Sequence, residues 1–108
     1  MSEISFFEEE ELEYGRTERV YVLIIYDIVD QKRRTKFAQY LQGYGYRVQK
    51  SCFEAKITRK KYQKLLRGIP RHINSKEDSV RVYKLTGKHQ VTTWGSSEDM
   101  ELEEVILI

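Results

Sequence analysis

One cysteine among 108 residues, Cys52, cannot close a disulfide within the chain, and this excludes a small secreted scaffold held by disulfides. Cys52 then reads as a small buried hydrophobe in a protein of a reducing compartment. The longest apolar run, Val20 to Tyr26, falls far short of the roughly 18 residues a membrane span needs. The acidic N-terminus lacks the basic and apolar regions of a signal peptide. These shortages predict a soluble, cytoplasmic protein with no membrane partner. Histidine is also scarce: His72 and His89 lie 17 positions apart with no other metal-type spacing, which argues against zinc. No Cys–His nucleophile pair, Ser triad or phosphate-cradling glycine loop is visible, so any catalysis has to come from carboxylate and metal.

What the chain does have is charge, strongly segregated. The net charge is only +2, but residues 1–19 carry seven Glu and two Arg, and residues 98–108 carry five acids and no base. The body between them, residues 20–97, has 17 bases against five acids, a surplus of +12. A basic body of this density draws polyanions by neutralising phosphates and releasing their counterions. Its bland alternative is a solvated Lys/Arg surface.

The length suits one domain. Residues 1–18 offer little to bury and show no period, so they are expected to be an acidic N-terminal extension, flexible or loosely docked. Val20 to Tyr26 is β-branched and continuous, as a central strand should be. Asp30 suits an N-cap, and Phe37, Leu41 and Tyr44 follow helical spacing from Gln31 to Gln42, with Gly43 or Gly45 as the stop. From Tyr46 to Ile57 the alternation changes phase, which predicts two short strands meeting near Gln49 to Ser51 through a bulge, bend or reversal. Thr58 can cap a second helix carrying Tyr62, Leu65, Leu66, Ile69 and Ile73 on one face, its last turn bent or shortened by Pro70. Strand signals return at Val80 to Leu85 and Gln90 to Trp94, on either side of a turn at Thr86 to Lys88. The order is β-α-β-β-α-β with additional C-terminal strands, an α+β chain of the ferredoxin-like, split βαβ kind. Residues 19–95 form that domain, and 96–108 an acidic linker and last strand, Val105 to Ile108.

Asp27 ends the first strand where open sheets place ligands. Its carboxylate either binds loop backbone N–H groups or faces a metal or substrate. One Asp cannot cage Mg²⁺, although a two-fold dimer would present two. Asp30 is better explained by capping. Lys32, Arg33 and Arg34 crowd the first helical turn, where the macrodipole disfavours cations by roughly 0.3–1 kcal/mol each. Either an anion binds there or solvent screens the cost. Arg47, Lys50 and Ser51 beside Tyr46 and Phe53 mix bases with aromatic faces, as single-strand grooves do. The second helix adds Arg59, Lys60, Lys61, Lys64, Arg67 and Arg71, suited to unspecific phosphate contact.

The stretches YVLIIYDI, GYRVQKSCFEAKI and DSVRVYKL together resemble the small CRISPR-associated adaptation nucleases, the Cas-two family, across about residues 20 to 95. Residues 1–18 have no counterpart in the minimal family pattern. The resemblance implies a ferredoxin-like homodimer with Mg²⁺ or Mn²⁺ bound by Asp27 near the two-fold axis. It implies a metal-dependent endonuclease on single-stranded RNA or double-stranded DNA, acting in spacer acquisition with the CRISPR integrase. The alternative within the same family is a non-catalytic nucleic-acid-binding bridge in the integrase complex. By position, the catalytic set is Asp27, Tyr26, Arg34, Arg47 and Phe53, and the nucleic-acid-binding set is Arg33, Arg34, Lys36, Arg47, Lys50 and Ser51. Lys36 stands where some members have arginine, which keeps charge but loses the bidentate fork. Cys52 replaces a valine common at that position. The last strand is expected either to pair with the other protomer, covering a sheet edge, or to pair within its own chain.

Overall fold

The computed structural model describes residues 18–96, so the bulk of the expected acidic extension and the strand at Val105 to Ile108 lie outside the described residues. Its elements are β1 (Val20–Asp27), α1 (Gln31–Gln42), β2 (Gly45–Gln49), β3 (Cys52–Ile57), α2 (Arg59–Gly68), a 3₁₀ turn (Ile69–His72), β4 (Ser79–Lys84) and β5 (Gln90–Gly95). The strands form one antiparallel sheet in the order β2-β3-β1-β4-β5. The first four give the ferredoxin-like βαββαβ arrangement, and β5 extends it at the β4 edge.

β1 is central because its sequence is apolar in both phases. Val20, Val22, Ile24 and Tyr26 are buried, while Tyr21 and Asp27 on the other face are exposed and Leu23 and Ile25 half-buried. The buried side packs with Phe37, Ala38 and Leu41 of α1, Phe53 and Ala55 of β3, Tyr62 and Leu65 of α2, Ile69, and Val80 and Val82 of β4. Each large apolar side chain buried in that layer contributes about 1.5–3 kcal/mol relative to exposure. Tyr26 and Phe37 meet edge to face, ring centroids 5.0 Å apart, a favoured aromatic geometry.

The phase change between Tyr46 and Ile57 comes from a reversal and a bulge together. β2 turns back into β3 at Lys50 and Ser51, and the register slips by one between the pairs Arg47–Phe53 and Gln49–Cys52. Gly45 is required where β2 begins, because a Cβ there would run into the Glu54 carbonyl.

Both helix starts follow their caps. The Asp30 carboxylate accepts from the Arg33 amide at 2.8 Å, and the Thr58 hydroxyl from the Lys61 amide at 3.2 Å. The stops also fall where the sequence puts them. Gly43 closes α1 in a right-handed conformation (φ −73°), so no left-handed cap is used. α2 ends at Gly68, and the chain continues as the 3₁₀ turn around Pro70, whose missing N–H cannot sustain the α ladder. Ile73 still packs on the core from beyond that turn. Gly87, in the turn before β5, has φ +66°, a conformation side chains other than glycine rarely adopt.

Candidate functional site

The antiparallel register brings three chain segments to one end of the sheet. Ile25 pairs with Cys52, so the β2–β3 turn lies beside the end of β1, and Asp27 pairs with Ser79, so the start of β4 lies on its other side. Asp27 is exposed there, and its carboxylate makes no hydrogen bond or ion pair among the described residues. Of the two roles open to it, binding the loop backbone is therefore not the one it plays; other side chains do that.

Arg34 donates from Nε to the Ile28 carbonyl at 3.1 Å and from Nη2 to the Val29 carbonyl at 3.2 Å. Asp78, fully buried, accepts from the Val29 amide at 2.9 Å and the Asn74 amide at 2.8 Å. Arg33 grips the same carboxylate with Nε at 2.7 Å and Nη2 at 3.2 Å, and Nη2 also reaches Glu77 at 3.0 Å. Burial pushes the Asp78 carboxyl up, but the Arg33 hydrogen bond, the two amides and the Arg33 charge together leave it below its ordinary value. The crowding of bases at the start of α1 thus has an explanation beyond anion binding or screening. No acid lies in that first turn, and Asp78 and Glu77 supply the missing negative charge from 45 and 44 residues away along the chain.

On the other side of Asp27, the Tyr26 amide donates to the Ser51 carbonyl at 3.1 Å, and the Tyr26 hydroxyl points to the Lys50 carbonyl at 3.5 Å. Burial raises the Tyr26 hydroxyl above its ordinary pKa, with Arg47 and Arg34 acting in the opposite direction. It is a neutral donor near pH 7 and not a base. The Arg47 guanidinium lies over the Phe53 ring, 5.7 Å from its centroid. Phe53 is fully buried, so it carries Arg47 and cannot itself touch a substrate.

The structure therefore gathers Tyr26, Asp27, Arg34, Arg47, Lys50 and Ser51 around one loop and one turn. Arg33 is there too, committed to Asp78 and Glu77, while Lys36 is exposed on α1 near the Lys32 and Gln39 positions. Asp78, Glu77 and Asn74 were absent from the residues singled out in the sequence. The signal for Asp78 is its place one residue before β4, which becomes informative only once β4 is known to lie beside β1.

Among the described residues no three His, Cys, Asp or Glu side chains cluster as a metal site. At this end of the sheet Asp27 is the carboxylate left without a partner among the described residues. Such a donor would suit Mg²⁺ or Mn²⁺ with waters or further ligands completing the shell, and the described residues make no cage of their own.

The family model for CRISPR associated protein Cas2 matches residues 20–93. The chain belongs to the Cas2 family. It is 40% identical over 92 residues to a CRISPR-associated endoribonuclease Cas2 of Mycobacterium tuberculosis, an alignment covering 85% of this chain and 80% of that one. It is 44% identical over 75 residues to a CRISPR-associated endoribonuclease Cas2 of Synechocystis, covering 68% and 82%. A crystal structure of a hypothetical protein from Thermus thermophilus superimposes with a TM-score of 0.59 at 34% identity, covering 68% of this Cas2 chain and 90% of that protein. Every residue gathered at the Asp27 end of the sheet lies inside the matched range. Among the described residues no helix is long and apolar enough to cross a membrane.

Proposed function

We propose that this Cas2 protein is a metal-dependent CRISPR-associated endonuclease. It hydrolyses phosphodiesters of single-stranded RNA or double-stranded DNA, and it acts as a homodimer with the CRISPR integrase in spacer acquisition. The supporting observation is the exposed, unpaired Asp27 carboxylate, displayed at the end of a buried strand before a loop whose Val29 amide and Ile28 and Val29 carbonyls are held by other side chains. The names of the relatives as endoribonucleases support the reaction class.

In this reading Asp27, with the same residue of a second protomer, would hold a divalent cation. When bound, Mg²⁺ or Mn²⁺ would supply an activated water and offset charge at the phosphoryl group. Arg47, braced on Phe53, and Lys50 hold the nucleic-acid backbone. Arg34 keeps the Ile28 and Val29 carbonyls turned inward, so that Asp27 presents the outward negative charge. In the hydrolysis a water oxygen bonds to phosphorus, the ester P–O bond breaks, and the leaving oxygen takes a proton. Dimerisation is supported by the sheet face opposite the helices, where Tyr21, Leu23 and Ile25 present apolar surface beside Asp27. The basic face of α2 serves unspecific affinity.

The bridge reading draws on the scarcity of metal ligands, one free carboxylate per described chain. Spacer acquisition in cells carrying Asp27→Asn separates the two: survival of acquisition assigns the physiological role to the bridge, and its loss assigns it to the nuclease. Cleavage of RNA and duplex DNA by the purified variant tests the chemistry itself.

A further inference from the structure

The geometry points to Asp78 as a positioning residue for Asp27, a role that rests on the reading of Asp27 as the metal-binding carboxylate. Only Ile28, Val29 and Asp30 separate Asp27 from α1, so the path of this short loop bounds the space beyond the Asp27 side chain, whose backbone is held in the β1–β4 ladder. Ile28 is buried, and the Asp30 carboxylate is used as the helix cap. Between them the Val29 amide is held by Asp78 Oδ1 at 2.9 Å, while the same carboxylate is locked by Arg33 through two nitrogens.

Asp78 is also fixed from behind. Its amide donates to the Asn74 carbonyl at 2.8 Å, and its own carbonyl accepts from the Ser96 amide at 3.0 Å and, more loosely, the Ser96 hydroxyl at 3.4 Å. Gly95, with φ +85°, lets the chain pass the Asp78 carbonyl at a distance no Cβ would permit. The next residue, Ser79, is the cross-strand partner of Asp27 itself. Asp78 thus ties the loop after β1 to the start of α1 through its carboxylate, and the exit of β5 to the start of β4 through its backbone carbonyl.

A buried carboxylate is a costly way to hold a loop unless its direction matters, because an apolar contact could serve stability as well. What Asp78 adds is a single path for residues 28–30. Outer groups that orient a metal-binding side chain typically govern about 10- to 100-fold in metal affinity or activity. Asp78 does not lie among the residues that hold the nucleic-acid backbone, so its loss should fall on metal binding and turnover and spare substrate affinity.

The test uses the full-length protein and its Asp78→Asn, Arg33→Lys, Asp27→Asn and Asp27→Asn/Asp78→Asn variants. Mn²⁺ affinity is measured by titration calorimetry, and kcat and KM are measured on one nucleic-acid substrate well below each variant's melting temperature. The expected result for Asp78→Asn is about tenfold weaker Mn²⁺ binding and about tenfold lower kcat, with KM unchanged within about twofold. Arg33→Lys, which keeps charge but cannot fork onto Asp78, should show a smaller loss of the same kind, and the double variant should be no worse than Asp27→Asn. If Asp78→Asn keeps wild-type Mn²⁺ affinity and kcat while Asp27→Asn loses both, the positioning role is overturned and the reading of Asp27 stands. If Asp27→Asn itself changes neither, that reading falls and this one with it. Should Asp78→Asn not fold, Arg33→Lys decides by the same readouts, unchanged Mn²⁺ affinity and kcat overturning the proposal.

Discussion

The two helices begin alike and end up doing different work. α1 opens Gln31-Lys32-Arg33-Arg34 behind an Asp cap, α2 opens Arg59-Lys60-Lys61 behind a Thr cap, and neither has an acid in its first turn. In α1, Arg33 is drawn onto the buried Asp78 and Arg34 onto two loop carbonyls, so the charge is consumed in building the loop behind Asp27. In α2, Arg59 meets only the Glu18 carboxylate, at 3.6 Å with both side chains largely exposed, and Lys61 faces solvent. A cluster of bases is therefore not one kind of feature. Acids from just before β4 turn the first into scaffold, whereas the Arg59 pair of the second stays at the exposed surface.

This contrast can be broken experimentally, beginning where the effect is largest. Asp78→Ala strips the Val29 and Asn74 amides of their acceptor and leaves Arg33 without its buried partner. It should destabilise the fold by about 2 kcal/mol or more in urea unfolding. The cost should depend on pH in a defined direction. Because the folded-state pKa of Asp78 is lowered, its contribution is fully present above the unfolded value of about 3.9 and is lost as pH falls through the folded value. The stability gap between wild type and Asp78→Asn should narrow accordingly on acidification below about pH 4. Next come the caps: Asp30→Ala and Thr58→Ala should each cost about 1 kcal/mol. Asp30→Ala should also lower turnover, through the loop it terminates, whereas Thr58→Ala should not.

Arg59→Gln should do the reverse of Asp78→Ala. An exposed pair contributes at most about 1 kcal/mol, so stability should barely move. Nucleic-acid affinity should fall and its logarithmic salt dependence should decrease by about one if Arg59 meets a phosphate. The smallest effect concerns the acidic extension. Glu18 at its described end already pairs with Arg59. Removing residues 1–18 should raise nucleic-acid affinity at low salt and leave it unchanged at high salt, and equal affinity at both would make the segment a solubilising tail.

The features legible in the sequence were the local ones. β1 announced itself through seven continuous apolar or aromatic residues, the caps through Asp30 and Thr58, and the β2–β3 reversal through its change of phase. Asp27 was legible because a strand end next to a helix start is a local pattern. The Asp78–Arg33 pair was not: the ferredoxin-like order places β4 beside β1, but nothing in either segment reveals that the Asp78 carboxylate turns onto the start of α1. Phe53 was legible as an aromatic in a motif, but its complete burial beneath the Arg47 guanidinium was not. The shortening of the last turn of α2 by Pro70 was legible too, and Ile73 keeps its place on the core from beyond the 3₁₀ turn.

The central claim is that Asp27 carries the chemistry while the bases around it build and bind. It is tested most directly by incubating highly purified wild type and Asp27→Asn with single-stranded RNA and duplex DNA, in Mg²⁺ and in excess chelator. The account predicts cleavage of at least one substrate by wild type in Mg²⁺ alone, and none by Asp27→Asn, with dimer mass and nucleic-acid affinity retained. Cleavage by Asp27→Asn at the wild-type rate would contradict it.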